Sequence, residues 1–275
     1  MKTMLIYIGI LTVLLVDLAA QKTSATEKSL RKGLILHFTF DQDETASKVT
    51  DVSGNGNHGK ASGVHWTAEG KIGGAYEFKT DGDQIEVPNN ASLNPKQLTL
   101  AAWIKTAKSN QWRRIFDKSY KQGYALSIAA DWQENNWDGH VSMEIGPGTH
   151  FNLTRTMVAD GQWHHIVATF DGTEQLLFVD GKPEGLPLQW NSPGQVGATT
   201  FNLVIGCNRS NLEENDLGVS FRGFIDEPMM WNRALSIKEV ALLFKSQNKI
   251  HRSSSIPNHA PTNCQQEEKN KTNHN

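Results

Sequence analysis

Asp41, Asp51, Asn55 and Asp226 offer hard oxygen donors where the chain turns or leaves an apolar run. Asp51 and Asn55 belong to a loop that carries Gly54, Gly56 and Gly59. Ca2+ takes roughly six to eight such oxygens, including carbonyls of a tight loop. A fold that brings its first and last strands together would let Asp41, Asn55 and Asp226 share one ion, with Asp51 next. The same side chains can instead bond neighbouring amides and cap turns. Both duties are open to them.

A second group of residues suits sugar binding. The stretch Trp132-Gln133-Glu134-Asn135-Asn136-Trp137-Asp138 is polar and loop-like, and Trp112 and Trp190 stand in similar stretches. Aromatic faces stack on the C–H faces of sugar rings, and amides bind hydroxyls. An apolar floor with a few polar groups is the usual make-up of a ligand site. Trp132, Trp137, Asn135, Asn136, Trp112 and Trp190 are therefore the candidate ligand-binding residues. Roofing the core is their competing duty. His164-His165 is not a chelating pair, because neighbours on a strand point to opposite faces.

The elements that must hold these residues are strands. Leu34–Phe40, Gln84–Val87, Leu98–Lys105, Gly123–Ile128, His140–Ile145, His164–Phe170, Leu176–Val179, Phe201–Gly206 and Val219–Trp231 read as short strands between turn residues. Asp171-Gly172 and Asp180-Gly181 are turn dipeptides. Trp103 and Trp163 fall inside strand patterns and are expected in the core. Pro228 removes a ladder donor, which predicts an edge or a bulge there. One short helix is expected: Ser236 and Glu239 form a capping box, and Val240, Leu243 and Phe244 supply an apolar stripe. No fixed-period repeat is present.

Composition sets the outer limits. The chain has 275 residues and a net charge of −2, from 27 Lys+Arg against 29 Asp+Glu, so it lacks the basic excess of a nucleic-acid binder. Two cysteines exclude a disulfide framework and a four-cysteine zinc site. Residues 1–25 read as a secretory signal peptide, with Lys2, the apolar run Leu5–Val16 and small residues at Ala19, Ala20 and Ala25. Residues 26–32 read as a linker, 33–247 as the domain and 248–275 as a flexible polar tail. Export would permit a Cys207–Cys264 disulfide, two unpaired thiols being the other state. Asn-x-Ser/Thr triplets stand at Asn90, Asn152, Asn208 and Asn270.

Five segments in order resemble the laminin G-like jelly-roll domain of the concanavalin A-like lectin and glucanase superfamily. They are Leu36-His37-Phe38-Thr39-Phe40-Asp41, the loop from Asp51 to Gly59, Trp66 through Phe78, Asp160 to Gly172 with Phe178-Val179-Asp180-Gly181, and Phe221 to Glu227 with Trp231 to Ser236. The resemblance implies an all-β sandwich of two antiparallel sheets. It also implies a structural Ca2+ near the first and last strands, as some members have. The jelly-roll glucanases carry Glu-x-Asp-x-x-Glu on one strand, and that spacing is absent here; so are Gly-x-Ser-x-Gly, His-Glu-x-x-His and a phosphate loop. The expectation is a secreted, non-catalytic module that binds a glycan or glycoprotein through its concave sheet and rim loops. It spans no membrane after signal cleavage. A protein–protein adhesion or matrix domain is the alternative, and a glycan-cleaving enzyme is third.

Overall fold

The computed structural model describes residues 27–45, 48–119, 122–131, 136–146, 150–189, 196–208 and 219–254. Trp132, Asn135, Trp190, Cys264, Asn270 and the expected signal peptide lie outside them. The strands are β1 (Leu34–His37), β2 (Lys48–Val49), β3 (Gly59–Ser62), β4 (His65–Thr67), β5 (Ala75–Phe78), β6 (Gln84–Val87), β7 (Leu98–Ala107) and β8 (Arg113–Lys118). There follow β9 (Tyr124–Ile128), β10 (His140–Ile145), β11 (His150–Met157), β12 (Asp160–Phe170), β13 (Glu174–Val179), β14 (Lys182–Gln189), β15 (Leu203–Ile205) and β16 (Gly223–Trp231). The helix α1 (Ile237–Ser254) comes last.

These strands make two eight-stranded sheets, all pairs antiparallel. The first runs β14-β13-β12-β7-β16-β5-β4 with β1 beside β16, and the second runs β11-β10-β9-β8-β15-β6-β3-β2. Period-two alternation sends Leu100, Ala102 and Ile104 of β7 inward, together with Ile166, Ala168 and Phe170 of β12. From the second sheet Phe116, Leu126, Ile128, Val141, Met143 and Ile145 meet them.

Strand β7 is apolar on both faces because its outer face is covered too. Ala101, Val167, Phe178, Met229 and Trp231 form a second cluster beneath Leu235, Val240 and Leu243. Trp103 is buried there, and its indole N–H donates to Gln247 Oε1 at 3.0 Å. Burying a side chain such as Val240 or Leu243 contributes about 1.5–3 kcal/mol.

Two features depart from the sequence reading. Strand β1 ends at His37, because Phe40 turns into the left-handed region (φ 56°) and its carbonyl accepts the Trp66 indole N–H. Trp163 is not a core residue: it stands half-buried on the outer face of the first sheet, 6.2 Å from the Phe224 ring. Helix α1 runs from Ile237 to Ser254, the one C-terminal helix expected. Pro228 does mark a bulge. The pairing of β16 with β7 shifts between Asp226 and Met229, and Glu227 takes φ 51°.

The capping box is present: Ser236 N–H donates to Glu239 Oε2, and Glu239 N–H donates to Ser236 Oγ. Arg233 and Ser29 also bond the Glu239 carboxylate. Hydrogen bonds from Arg233, above all, hold that carboxyl down at about 2. Glu239→Ala is expected to cost about 1–2 kcal/mol in urea unfolding, the range for a lost cap. A change below about 0.3 kcal/mol would show that the cap is dispensable.

Candidate functional site

Three connections meet at one end of the sandwich: β7 to β8, β9 to β10 and β11 to β12. They are stitched by polar bonds. Asp131 N–H donates to Asn110 Oδ1 at 2.9 Å, and Asp138 N–H donates to Asp131 Oδ1 at 2.8 Å. The fully buried Arg113 guanidinium reaches Asp138 Oδ1 at 3.1 Å and also bonds Thr106 Oγ1. Val158 N–H donates to Gly139 O. Gly139 has φ 90°, and a Cβ there would lie 2.8 Å from Met157 Cγ, so only glycine lets these loops approach. This stitching brings half-buried Trp112, exposed Asn136 and half-buried Trp137 to the same end.

The four expected metal ligands fall into two sets. Asp51 is buried and committed to its own loop. Its Oδ1 accepts from His37 N–H and Ser53 N–H, and its Oδ2 accepts from Ser53 Oγ and Asn57 N–H. Asn55 is exposed and donates to Leu34 O and Ser53 Oγ. These bonds fix the glycine-rich loop against β1.

Asp41 and Asp226 form the other set, on either side of the loop before β5. Asp226 is fully buried; its Oδ2 accepts from Ile72 N–H at 2.8 Å, while Oδ1 has no hydrogen bond. Gly73 lies beneath Asp41: a Cβ there would fall 1.9 Å from Asp41 Oδ1. Burial is the main cause that pushes the Asp226 carboxyl up to about 9, and the Glu227 and Asp41 charges add to it. The Ile72 and Glu227 amides favour the ionised form but do not outweigh burial. Among the described residues no three His, Cys, Asp or Glu side chains group as a metal site. Any ion here would therefore need backbone carbonyls and water beside the two carboxylates.

The histidine pair does structural work. His164 Nδ1 lies 2.9 Å from Asp180 Oδ2, and His165 N–H donates to Asp180 Oδ1, which pins the β13–β14 turn. The Asp180 hydrogen bond raises the His164 pKa, whereas burial pushes His165 down to about 4. His165 packs against Trp103 and Phe244 under the helix.

One arrangement was not legible in the sequence. Arg114, Asp117 and Glu144, from β8 and β10, meet on the outer face of the second sheet. A bulge between Arg114 and Phe116 sets which of these residues face outward. Charged residues inside apolar strand runs were the only trace of it.

A two-sheet antiparallel sandwich with an aromatic rim at one end defines a jelly-roll module of the lectin and glucanase kind. The chain belongs to that superfamily: residues 79–241 match the Laminin_G_3 family of the concanavalin A-like lectin/glucanases superfamily. Pappalysin-1 from Mus musculus is 23% identical over 178 residues, and that from Homo sapiens 24% over 179. Each match covers 60% of this chain and 11% of the relative, so the chain spans about a tenth of the curated relatives.

Solved structures share the fold. The binding domain of Paraclostridial Mosquitocidal Protein 1 has a TM-score of 0.60 at 18% identity, over 79% of this chain and 53% of that one. Domain 4 of an extracellular arabinanase from Geobacillus stearothermophilus, in complex with arabinotriose, has a TM-score of 0.57 at 19% identity, over 76% and 96%. The botulinum neurotoxin serotype D ligand binding domain, in complex with N-acetylneuraminic acid, has a TM-score of 0.59 at 13% identity, over 81% and 53%. No helix among the described residues is long and apolar enough to cross a membrane.

Buried Asp226 gives a test that needs no ligand. The charged groups that act on it are Glu227 and Asp41. Above the ordinary carboxylate range the unfolded chain has released this proton while the folded chain keeps it up to about 9. Stability from this group therefore falls as pH rises. In chelator, the wild type is expected to lose stability relative to Asp226→Asn between about pH 6.5 and pH 8, by at most about 1.4 kcal/mol per pH unit. Parallel stability curves would show that the carboxyl is already ionised.

Proposed function

We propose that this domain is an exported, non-catalytic glycan-binding module whose sugar site includes the rim of Trp112, Asn136 and Trp137. The observation that carries the reading is the stitched rim. Two half-exposed indoles and an exposed amide stand on loops held together by the Asn110–Asp131–Asp138–Arg113 bonds. An apolar platform with few polar groups suits a sugar. The printed ligands of two fold neighbours, arabinotriose and N-acetylneuraminic acid, support the same class. Trp132, Asn135 and Trp190 remain candidates for the same surface on sequence grounds alone.

Asp41 and Asp226 are the proposed ligands of a structural calcium ion. The fit rests on the unsatisfied, buried Asp226 Oδ1 and on Asp41 lying over a glycine that leaves room for it. Calcium would supply the positive charge that a buried carboxylate lacks. Asp51 and Asn55 are proposed to serve the loop and not the ion, since their bonds are already made.

Two measurements test these readings. Calcium at about a hundred times its Kd adds about 2.7 kcal/mol to the folded state. The unfolding midpoint should then rise by several degrees in wild type and in Asp51→Asn, but not in Asp226→Asn. An unchanged wild-type midpoint at millimolar calcium would remove the ion from the account. For the rim, Trp112→Ala and Trp137→Ala should each weaken glycan binding about tenfold, or about 1.4 kcal/mol, with little change in midpoint. Binding that survives both changes and ignores free sugar would point to a protein partner instead.

A further inference from the structure

The Asn-x-Ser/Thr triplets at Asn90, Asn152, Asn208 and Asn270 have no part in the sugar site described above. Such a triplet keeps an N-linked oligosaccharide only where the folded chain leaves room for a bulky, hydrated group. Burial separates the triplets on that ground. Asn208 is 7% exposed. Asn152 is half-buried on the edge strand β11, opposite Met143, whose side chain lies in the core. The hydroxyl of its triplet, on buried Thr154, accepts from Val141 N–H and donates to Thr156 O. Asn270 lies outside the described residues.

Asn90 differs from these. It stands exposed, with Ala91, on the connection from β6 to β7. There it caps a single turn of 3-10 helix, Ala91–Leu93, from extended backbone (φ −149°). Its Oδ1 accepts from Ser92 N–H at 2.9 Å and from the Ser92 hydroxyl at 2.6 Å, and its Nδ2 donates to Oδ1 of buried Asn57. A side-chain amide nitrogen carries two hydrogens. Asn57 takes one, so a substituent in place of the other leaves these bonds intact. The loop beneath is anchored to the second sheet: Tyr124 Oη donates to Leu93 O, and Lys118 Nζ donates to Asn89 Oδ1.

The position also matters. Strand β7 leaves this loop at Leu98 and ends at Ala107, next to the connection that carries Trp112. Its ten residues span roughly 30 Å at about 3.3 Å each. Asn90 is therefore at the end of the sandwich away from the aromatic rim.

We propose that Asn90 is an N-glycosylation site of the exported chain, and that its oligosaccharide leaves the rim uncovered. The inference rests on the export reading and adds a modification to it. The donor is an oligosaccharide on a polyprenyl diphosphate, supplied by the secretory membrane. A bond forms between Asn90 Nδ2 and C1 of the first sugar, and the bond from C1 to the diphosphate oxygen breaks. Nδ2 gives up one proton, and the polyprenyl diphosphate leaves. Transfer meets the chain before it has folded; the folded loop then keeps the sugar without losing a bond.

The test produces the full chain, with its own N-terminus, in cultured animal cells. Protein from the medium is treated with peptide N-glycosidase in heavy-oxygen water and digested with trypsin. Mass spectrometry then reads each triplet as labelled aspartate or unchanged asparagine; the peptide Thr80 to Lys96 reports Asn90. The expected result is label at Asn90 in most secreted molecules and none at Asn208. On gels, Ser92→Ala should lose one glycan's worth of mobility shift and Ser92→Thr should keep it. Secreted protein that is bare at Asn90 would overturn the inference and leave export standing. Label at Asn208 would overturn the burial argument behind it. A chain held inside the cell without any glycan would sink export and the inference together.

Discussion

The bulge at Glu227-Pro228 in β16 is the constraint on which much of one side of the molecule depends. Strand β16 lies between β7 and β5, with β1 beside it. Proline offers no ladder donor, and its carbonyl instead accepts from the Phe38 amide. Glu227, held in the left-handed region, reaches His37 of β1 and Gln247 of α1, and Gln247 in turn takes the Trp103 indole N–H. One irregularity thus links β1, the helix and the central strand β7, and it holds Asp226 beneath the loop before β5.

The fold was legible in the sequence because its cues are local. Alternation in His164–Phe170, the Asp180-Gly181 turn and the Ser236–Glu239 box each specify geometry over a few residues, and each was found where expected. The bulge position could be read from Pro228 alone, since a proline has few places in a sheet. The sequence reading failed where partners come from distant strands. Trp163 sits in a strand pattern, yet which face it occupies depends on the register of β12 against β7, and that register shifts between Asp160 and Trp163. Arg114 and Glu144 are thirty positions apart, and the bulge between Arg114 and Phe116, not simple alternation, puts Arg114 on the face that Glu144 occupies. The two-way division of Asp41, Asp51, Asn55 and Asp226 was hidden for a similar reason. Residue type gives the donors, but only the folded loop shows which oxygens are already used.

Arg113 and Arg114 differ in what they hold. Arg113 is locked to Asp138 and backbone groups at the sheet end, so its charge is consumed in holding loops together. Arg114, the next residue, faces the other way and gathers two carboxylates and a serine. Adjacent residues on a strand point to opposite faces, and here one arginine holds the loops at the sheet end while the other gathers a polar cluster on the sheet face.

The carbonyls of Ser29, Leu30 and Lys32 accept from Arg233 and Trp231, so the chain enters the sandwich beside the point where its last strand ends. The approach to β1 and the end of β16 share one small patch of surface. The same clasp closes the sheet before the helix begins, so additions beyond the helix can vary in length and sequence while the sandwich stays as it is.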